Sequence, residues 1–370
     1  MQKNKYLFPF IALTSLFFLW GFLTVLVDSL IPRLKELIHH AHSNNVEITI
    51  DAEEQDRLSI SIHIVEQLAF EKKIKDWPGF GIALQAYGKR SFDALNWLNS
   101  TLDKRTGMHI RLVKGAYWDY EIKHAQVSGY ADYPVFSKKS ITDIAYLACA
   151  KKILENKNIY AKFATHNAHT ISSINYLGQG CEYEFQRLFG MGELLYKSAS
   201  DVLKLDKAPS IYAPIGSYKD LLPYLVRRLL ENGANSSFIN RLLDPETDSK
   251  WLAENPLIRM KNEKKDIPLP KNIFGKRLNS SGMDISEKHN LDNLSKKLKT
   301  FEGKKVHAQS LYMFRDKDNR KIMDVNSISS GINIGSIQFD DIEKIKNSLK
   351  KNSDDEWSRT DVIKRSEILN

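Results

Sequence analysis

The sequence predicts an α/β fold, an incomplete (β/α)8 TIM-type barrel with about six of its eight units, preceded by one transmembrane-like helix. From Glu47 onward, short β-rich runs alternate with amphipathic helical segments, a pattern typical of a parallel sheet. Polar residues cluster where the β-rich runs end, and no G-x-G-x-x-G motif occurs, which favours a barrel over a doubly wound sheet. The residues before Glu47 instead contain a long uncharged stretch.

Strands and helices of the predicted barrel follow one another in regular order. The expected strands are EITIDA (47–52), GIALQA (81–86), HIRLVKG (109–115), YAKFATHN (160–167), YEFQRLFG (183–190) and SIYAPIG (210–216). The helical segments between them include DRLSISIHIVEQLAF, SFDALNWLNSTL and TDIAYLACAKKIL, whose apolar residues recur at three- and four-residue spacing. A whole barrel takes about 250 residues. Residues 47–240 therefore account for about six units only.

The uncharged stretch, LFPFIALTSLFFLWGFLTVLV, runs from Leu7 to Val27 and is 21 residues long. As a helix it would span about 32 Å, the thickness of a hydrocarbon core, so we expect a transmembrane helix. A cleaved signal peptide and a buried soluble helix are the alternatives. Residues 9–38 resemble the first helix of the fucose and glucose/galactose permeases, but the rest of the chain has no second such run and is not a transporter.

Charge and cysteine content exclude several classes of function. The net charge is +9, but most of the surplus lies between Arg259 and Ser310, in a Pro-containing stretch that resembles a solvated linker more than a nucleic-acid groove. Two cysteines give no disulfide framework, which favours a reducing compartment. His39, His40 and His42 lack the ligand spacing of a metal site, so no metal is expected.

Four longer motifs carry a specific resemblance. They are RLVKGAYWD (111–119), FATHNAH (163–169), YEFQRLFGMGE (183–193) and YLVRRLLENGANSSF (224–238). In this order they resemble the proline dehydrogenase domain of the bifunctional flavoenzyme proline utilization A. Residues 324–369 resemble the start of an aldehyde dehydrogenase, the second enzyme of that family. The domains expected are a permease-like helix (1–38), a truncated barrel (39–245), a basic linker (246–310) and the start of an aldehyde dehydrogenase domain (311–370).

Two arginines are expected to bind the substrate. Arg227 and Arg228 lie on a predicted helix, where two guanidinium groups can meet a carboxylate in bidentate geometry. The alternative is a solvated helix face on which they pair with Glu231. The resemblance implies that both arginines hold the carboxylate of L-proline. It also implies that the walls of the proline pocket are Tyr117, Leu188, Tyr212 and Tyr224.

Asp51 and Arg111 fall on the positions that the family uses as catalytic residues. A flavin that accepts hydride needs a hydrogen-bond donor near the ring atoms where charge develops, and Arg111 at a strand end can supply one. The carboxylate of Asp51 is expected to hold a neighbouring charge. Because it opens the sequence DAEEQDRL, it could equally be a helix cap.

Flavin-binding positions, by the same resemblance, lie at three successive strand ends and beyond the Arg227 helix. They are Ala52, Gln85, Arg111, Val113, Lys114, Gly115, Tyr117, Trp118, Thr165, His166, Asn167, Glu231, Ser237 and Phe238. A glycine lets the backbone approach a ligand closely, and a lysine and a histidine can meet a pyrophosphate.

The function expected is FAD-dependent oxidation of L-proline to Δ1-pyrroline-5-carboxylate, the first step of proline degradation to glutamate. The resemblance implies a membrane quinone as electron acceptor. We therefore expect a membrane-associated enzyme on the cytoplasmic side, with no nucleic acid as a partner. The alternative is a catalytically inactive, membrane-tethered fragment.

Overall fold

A computed structural model describes residues 30–102, 104–233, 253–263, 267–301, 303–309, 321–328, 331–339, 341–351 and 356–369. The stretch from Leu7 to Val27 lies outside these residues, and so do Ser237 and Phe238. Among the helices that are described, none combines the length and apolar character needed to cross a bilayer. The chain divides into two compact units, residues 1–290 and 291–370. The domain boundaries expected from the sequence stay predictions.

The first unit is built on one parallel sheet of six strands. The strands are β1 (Ile48–Ile50), β2 (Phe80–Gln85), β3 (Met108–Val113), β4 (Ile159–Ala164), β5 (Tyr183–Leu188) and β6 (Ser210–Tyr212). They lie side by side in chain order, and each pairs in parallel with the next. All six strands expected from the sequence are present, and each ends up to four residues earlier than the β-rich run predicted.

Helices precede, connect and follow these strands. They are α1 (residues 30–43), α2 (Leu58–Ala69), α3 (Ser91–Leu102), α4 (Trp118–Ser128), α5 (Lys139–Leu154), α6 (Ala168–Leu177), α7 (Glu193–Leu203) and α8 (Tyr218–Gly233). Helix α1 precedes β1, α8 follows β6, and the others connect the strands in the order expected for a half-barrel. A short 3-10 helix, Gln55–Arg57, precedes α2. Asn167 begins α6 as its N-cap, since its side chain accepts a hydrogen bond from the backbone N–H of Thr170 at 2.9 Å.

The two faces of the sheet differ in chemistry. Ile82, Leu84, Ile110, Leu112 and Phe163 point to the helices and form the buried core. Because side chains alternate along a strand, the residues between them point to the opposite face, which we call the inner face. The inner face carries polar and small residues, and its polar side chains continue to the strand ends.

Residues 253–290 also belong to the first unit. A helix, Pro256–Asn262, and a second 3-10 helix, Pro270–Asn272, lie in this part of the chain. The hydroxyl of Tyr133 donates to the backbone carbonyl of Pro268 at 2.7 Å, and the amide of Asn279 donates to that of Gln126 at 2.8 Å. The described residues between 253 and 290 thus pack on the rest of the first unit through specific hydrogen bonds. The basic composition of this segment does not predict such packing.

The second unit holds a small mixed sheet. Its strands are Val306–Gln309, Lys321–Asn326 and Asn333–Phe339, with the last strand in the middle. The central strand pairs in parallel with the first and antiparallel with the second. Helices follow at Ile342–Lys351, Glu356–Arg359 and Val362–Leu369.

Candidate active site

Polar residues collect where the six parallel strands end. In parallel sheets of this kind, ligands bind at the carboxyl ends of the strands. Most of the candidate site residues predicted from the sequence lie at or just beyond these ends, between Asp51 after β1 and Tyr212 in β6. A small cavity beside β1 and β2 is lined by Asp51, Ala52, Glu53 and Gln85, among others.

Asp51 and Arg111 form an ion pair at this edge. The guanidinium of Arg111 donates to Oδ1 of Asp51, and its Cζ lies 5.8 Å from the centre of the Tyr212 ring. The same oxygen of Asp51 also accepts a local hydrogen bond, from the N–H of Ala52 at 3.1 Å. The 3-10 helix that follows has Glu54 at its N-cap, so the alternative of Asp51 as a helix cap is wrong.

The segment after β1 is fixed by hydrogen bonds from distant parts of the chain. Nε2 of Gln85 donates to the backbone carbonyl of Glu53 at 2.6 Å, and the hydroxyl of Tyr117 donates to the Glu53 carboxylate at 3.0 Å. Burial and this carboxylate raise the pKa of Tyr117 to about 12. Glu53 could not be predicted from the sequence, because its partners lie 32 and 64 residues away along the chain.

A buried carboxylate lies beneath the same segment. Oε1 of Glu121 accepts from the backbone N–H of Gln55 at 2.6 Å and from the hydroxyl of Tyr87 at 3.4 Å. Glu121 is 2% exposed, and burial raises its pKa to about 7, helped by the negative charges of Asp56 and Glu54. This residue too was missed by sequence reasoning, since an isolated glutamate on a helix gives no signal of burial.

Arg227 and Arg228 lie on α8 and stack on aromatic rings. The guanidinium Cζ of Arg227 is 5.1 Å from the centre of the Tyr117 ring, and that of Arg228 is 5.5 Å from the centre of the Tyr224 ring. The first contact joins α8 to the segment after β3. Glu231 also lies on α8, but its side chain is outside what the structure describes, so the predicted alternative pairing is not tested.

Lys114 and Gly115 follow β3. The ammonium of Lys114 pairs with Oδ1 of Asp143 on α5, whose other oxygen lies 3.9 Å from Nη1 of Arg259. Gly115 adopts a φ of +137°, and a Cβ at this position would overlap the ring of Tyr87. The backbone after β3 can therefore take this path only with glycine.

Val113 and Trp118, on either side of the turn after β3, form hydrogen bonds that stabilise the fold. The backbone carbonyl of Val113 accepts from the N–H of Ala86 at 2.9 Å, which extends the pairing with β2. The indole N–H of Trp118 donates to the carbonyl of Phe136 at 2.9 Å. The carbonyl of Val113 and the indole N–H of Trp118 thus have hydrogen-bond partners within the chain.

Thr165, His166 and Asn167 follow β4 and are held by their neighbours. Nε2 of His166 accepts from the backbone N–H of Leu188 at 3.2 Å, so the ring of His166 joins the ends of β4 and β5. Burial lowers the pKa of His166 to about 4, and the nearby positive charge of Arg228 acts in the same direction. The imidazole is therefore neutral near pH 7, and it can offer a hydrogen bond but no charge to a ligand.

Comparison with known proteins agrees with the motifs. The family model described as proline dehydrogenase matches residues 4–241. The bifunctional protein PutA of Salmonella typhimurium is 44% identical over 292 residues, which cover 74% of this chain and 22% of PutA. PutA of Escherichia coli is 45% identical over the same share of each chain. The chain thus spans about a fifth of the length of these relatives.

A solved structure shows the same relationship. The structure of proline utilization A with proline bound in remote sites is 39% identical, with a TM-score of 0.71 over 77% of this chain and 30% of that chain. The family match begins at residue 4 and includes Leu7 to Val27, and none of these relatives is a permease. The permease resemblance of the N-terminal segment is therefore not supported.

Proposed function

Because the chain belongs to the proline dehydrogenase family, we propose that it oxidises L-proline to Δ1-pyrroline-5-carboxylate with FAD as cofactor. The observation that carries the proposal is the convergence of the Asp51–Arg111 pair and the Arg227–Tyr117 contact at one edge of the sheet. These contacts bring cationic donors and flat aromatic surfaces to the place where a small cyclic amino acid would bind.

The proposed substrate site uses the two arginines of α8. Their guanidinium groups can bind the proline carboxylate in bidentate geometry, and the rings of Tyr117, Tyr212 and Tyr224 can enclose the apolar carbons of the substrate. Leu188 is 6% exposed and pairs in register with Tyr212, so it would form the base of this pocket. Orientation of the reacting carbon by such contacts contributes to the rate.

The residues at the strand ends fit a flavin dinucleotide. Arg111 and Lys114 supply positive charge for an anionic cofactor, Gln85 adds a polar side chain, and Gly115 keeps the backbone free of a Cβ. Bound FAD would accept the hydride from the proline carbon next to nitrogen. Arg111, held by Asp51, would donate to the ring system where negative charge develops. The amide of Gln85 is already oriented, since its Oε1 accepts from the N–H of Ala116 at 3.2 Å.

The electron acceptor that we propose is a membrane quinone, with the enzyme on the cytoplasmic side. Its support is the uncharged stretch from Leu7 to Val27, which could contact lipid. Flotation of the full chain with liposomes tests this part separately. We expect Leu19→Arg to abolish flotation, since an arginine at the centre of a membrane helix costs about 2.5–3.5 kcal/mol. Failure of the unmodified chain to float would refute membrane binding and leave the chemistry untouched.

The anaerobic absorbance spectrum of the full chain with FAD tests the main proposal. We expect a bound-flavin band that L-proline bleaches. Pyrrolidine lacks the carboxylate, so it should bleach the band far less at the same concentration. A chain that binds no flavin, or a bound flavin that L-proline leaves oxidised, would refute the proposal and favour a catalytically inactive chain.

A further inference from the structure

The inner face of the sheet carries three bridges that share one geometry. Each starts at an alternate residue of the stretch 47–51, which contains β1 and which we call the β1 segment, passes over β2, and ends on β3 or β4. The bridges join Glu47 to Lys162, Thr49 to His109, and Asp51 to Arg111. Thr49 Oγ1 lies 2.6 Å from His109 Nε2, and the other two are ion pairs. The catalytic candidate Asp51 is thus the last member of a ladder.

The strand beneath these bridges is made of small residues. Gly81 of β2 lies in register between Thr49 and His109, and Ala83 lies in register with Arg111. A Cβ on Gly81 would overlap both the imidazole ring and the backbone carbonyl of His109. The absence of a side chain at Gly81 therefore lets the His109 ring lie over β2 and reach β1.

Among the charged residues of the ladder, Lys162 is the most deeply buried. It is 5% exposed, its ammonium pairs with Glu47, and Oε1 of Glu184 on β5 lies 3.7 Å from Nζ. A buried ammonium is costly unless carboxylates surround it. One lysine on β4 therefore links the β1 segment to β5 across the inner face.

His109 is 1% exposed and lies beside this lysine. Burial lowers its pKa to about 4, and the positive charges of Lys162 and Arg111 act in the same direction, although Glu47 opposes them. The ring is neutral near pH 7. It can therefore lie between two cations without repulsion and still hydrogen-bond to Thr49.

We propose that Lys162 and His109 are positioning residues, which tie β1 to β3 and β4 and so hold Asp51 against Arg111. The β1 strand has three residues and pairs with β2 at three positions. The side-chain bridges therefore hold β1 in addition to its backbone pairing; we call the bridges made by Lys162 and His109 the ties. The catalytic meaning of the ties rests on the proposed function, whereas the ties themselves can be tested without cofactor or substrate.

Hydrogen exchange of the full chain without FAD tests the ties directly. We expect Lys162→Met to accelerate amide exchange in residues 48–52 at least tenfold, while residues of β3 keep their protection. Lys162→Arg should restore slow exchange, because arginine preserves the charge and the reach. Lys89→Met, which removes an exposed pair with Asp132, is the matched control and should change nothing at β1. Unchanged exchange at residues 48–52, or equal acceleration in all strands, would overturn the inference.

A second variant covers the case in which Lys162→Met does not fold. Glu47 is more than half exposed, so Glu47→Gln removes the same bridge with little disturbance of the core. It should accelerate β1 exchange by itself and add nothing in the Lys162→Met background. Additive effects of the two substitutions would show that the residues are not coupled and would contradict the inference.

Kinetics separate a positioning role from a merely structural one. In FAD-loaded protein we expect Lys162→Met to slow flavin reduction at saturating L-proline at least tenfold, to change the proline KM less than threefold, and to be rescued by Lys162→Arg. Loosened β1 with an unchanged reduction rate would overturn the positioning role while the proposed function stands. Absence of reduction in the unmodified chain would refute the proposed function, and the exchange experiment would still decide the ties.

Discussion

Arg111 on β3 reaches over β2 to pair with Asp51, which lies 60 residues earlier in the chain at the end of β1. The pair can form because the intervening strand presents only Ala83 in register with Arg111 on the inner face. Arg111 is thus oriented by a carboxylate on one side and lies near the Tyr212 ring on the other. A guanidinium held in this way is preorganised for an anionic centre and needs no reorientation when charge develops.

Asp51→Asn is expected to slow flavin reduction by L-proline about 10- to 100-fold, because it replaces a charge-assisted hydrogen bond worth about 1.5–3 kcal/mol by a neutral one. The fold should persist, since the side chain keeps its shape and is largely exposed. Stopped-flow absorbance measures the effect. Asp132→Asn serves as the control, because Asp132 pairs with Lys89 at the surface. Equal rates in Asp51→Asn and the unmodified chain would show that the pair has no catalytic role.

Arg227→Ala should raise the proline KM well over tenfold, because it removes one of the two guanidinium groups that would hold the substrate carboxylate. Arg227→Lys keeps the charge but loses the bidentate geometry, so we expect an intermediate KM. Arg277→Ala is a suitable control, since Arg277 also stacks on a ring, that of Phe274 at 4.4 Å. Steady-state kinetics over a range of proline concentrations give the comparison, and an unchanged KM in Arg227→Ala would rule out the clamp.

Much of the fold was predictable because its signals are local. Alternating apolar residues in GIALQA and HIRLVKG predict β2 and β3, and the structure confirms these strands. Contacts between distant residues were not predictable in the same way. The sequence predicts that Lys114 lies near a ligand, but its pairing with Asp143, 29 residues away on α5, depends on how that helix packs. Glu53 and Glu121 were not predictable for the same reason, since neither spacing nor composition indicates that a carboxylate will accept a hydrogen bond from the Tyr117 hydroxyl or from the N–H of Gln55.

Glu121 should make stability depend on pH. Its pKa is about 7 in the folded chain and 4.5 when unperturbed, so between these values the folded state binds more protons than the unfolded state. Stability should therefore fall as pH rises from about 4.5 to about 7 and level off above, with a total on the order of 3 kcal/mol.

Urea unfolding of the unmodified chain and of Glu121→Gln at pH 5 and pH 8 measures this dependence. We expect the substitution to flatten the decline, since glutamine cannot titrate and its oxygen can still accept from the N–H of Gln55. Glu71→Gln is the matched control, because the hydrogen bond to Lys35 lowers the pKa of Glu71, so this carboxylate is already ionised at pH 5 and its loss should leave the decline unchanged. The same decline in Glu121→Gln as in the unmodified chain would contradict the assignment.

Gly115→Ala tests the turn that brings Lys114 and Tyr117 to the strand ends. At a φ of +137° an alanine is strained, which costs about 1–3 kcal/mol, and its Cβ would overlap the ring of Tyr87. Tyr87 is 2% exposed and bonds to Glu121, so it cannot move aside without disturbing the segment after β1.

Gly180→Ala provides the comparison, because Gly180 has a φ of +80° but open space around a Cβ. We expect Gly115→Ala to lower the free energy of unfolding more than Gly180→Ala and to weaken FAD binding, as measured by urea unfolding and flavin fluorescence. Equal losses in the two variants would show that contact with Tyr87 does not constrain this turn.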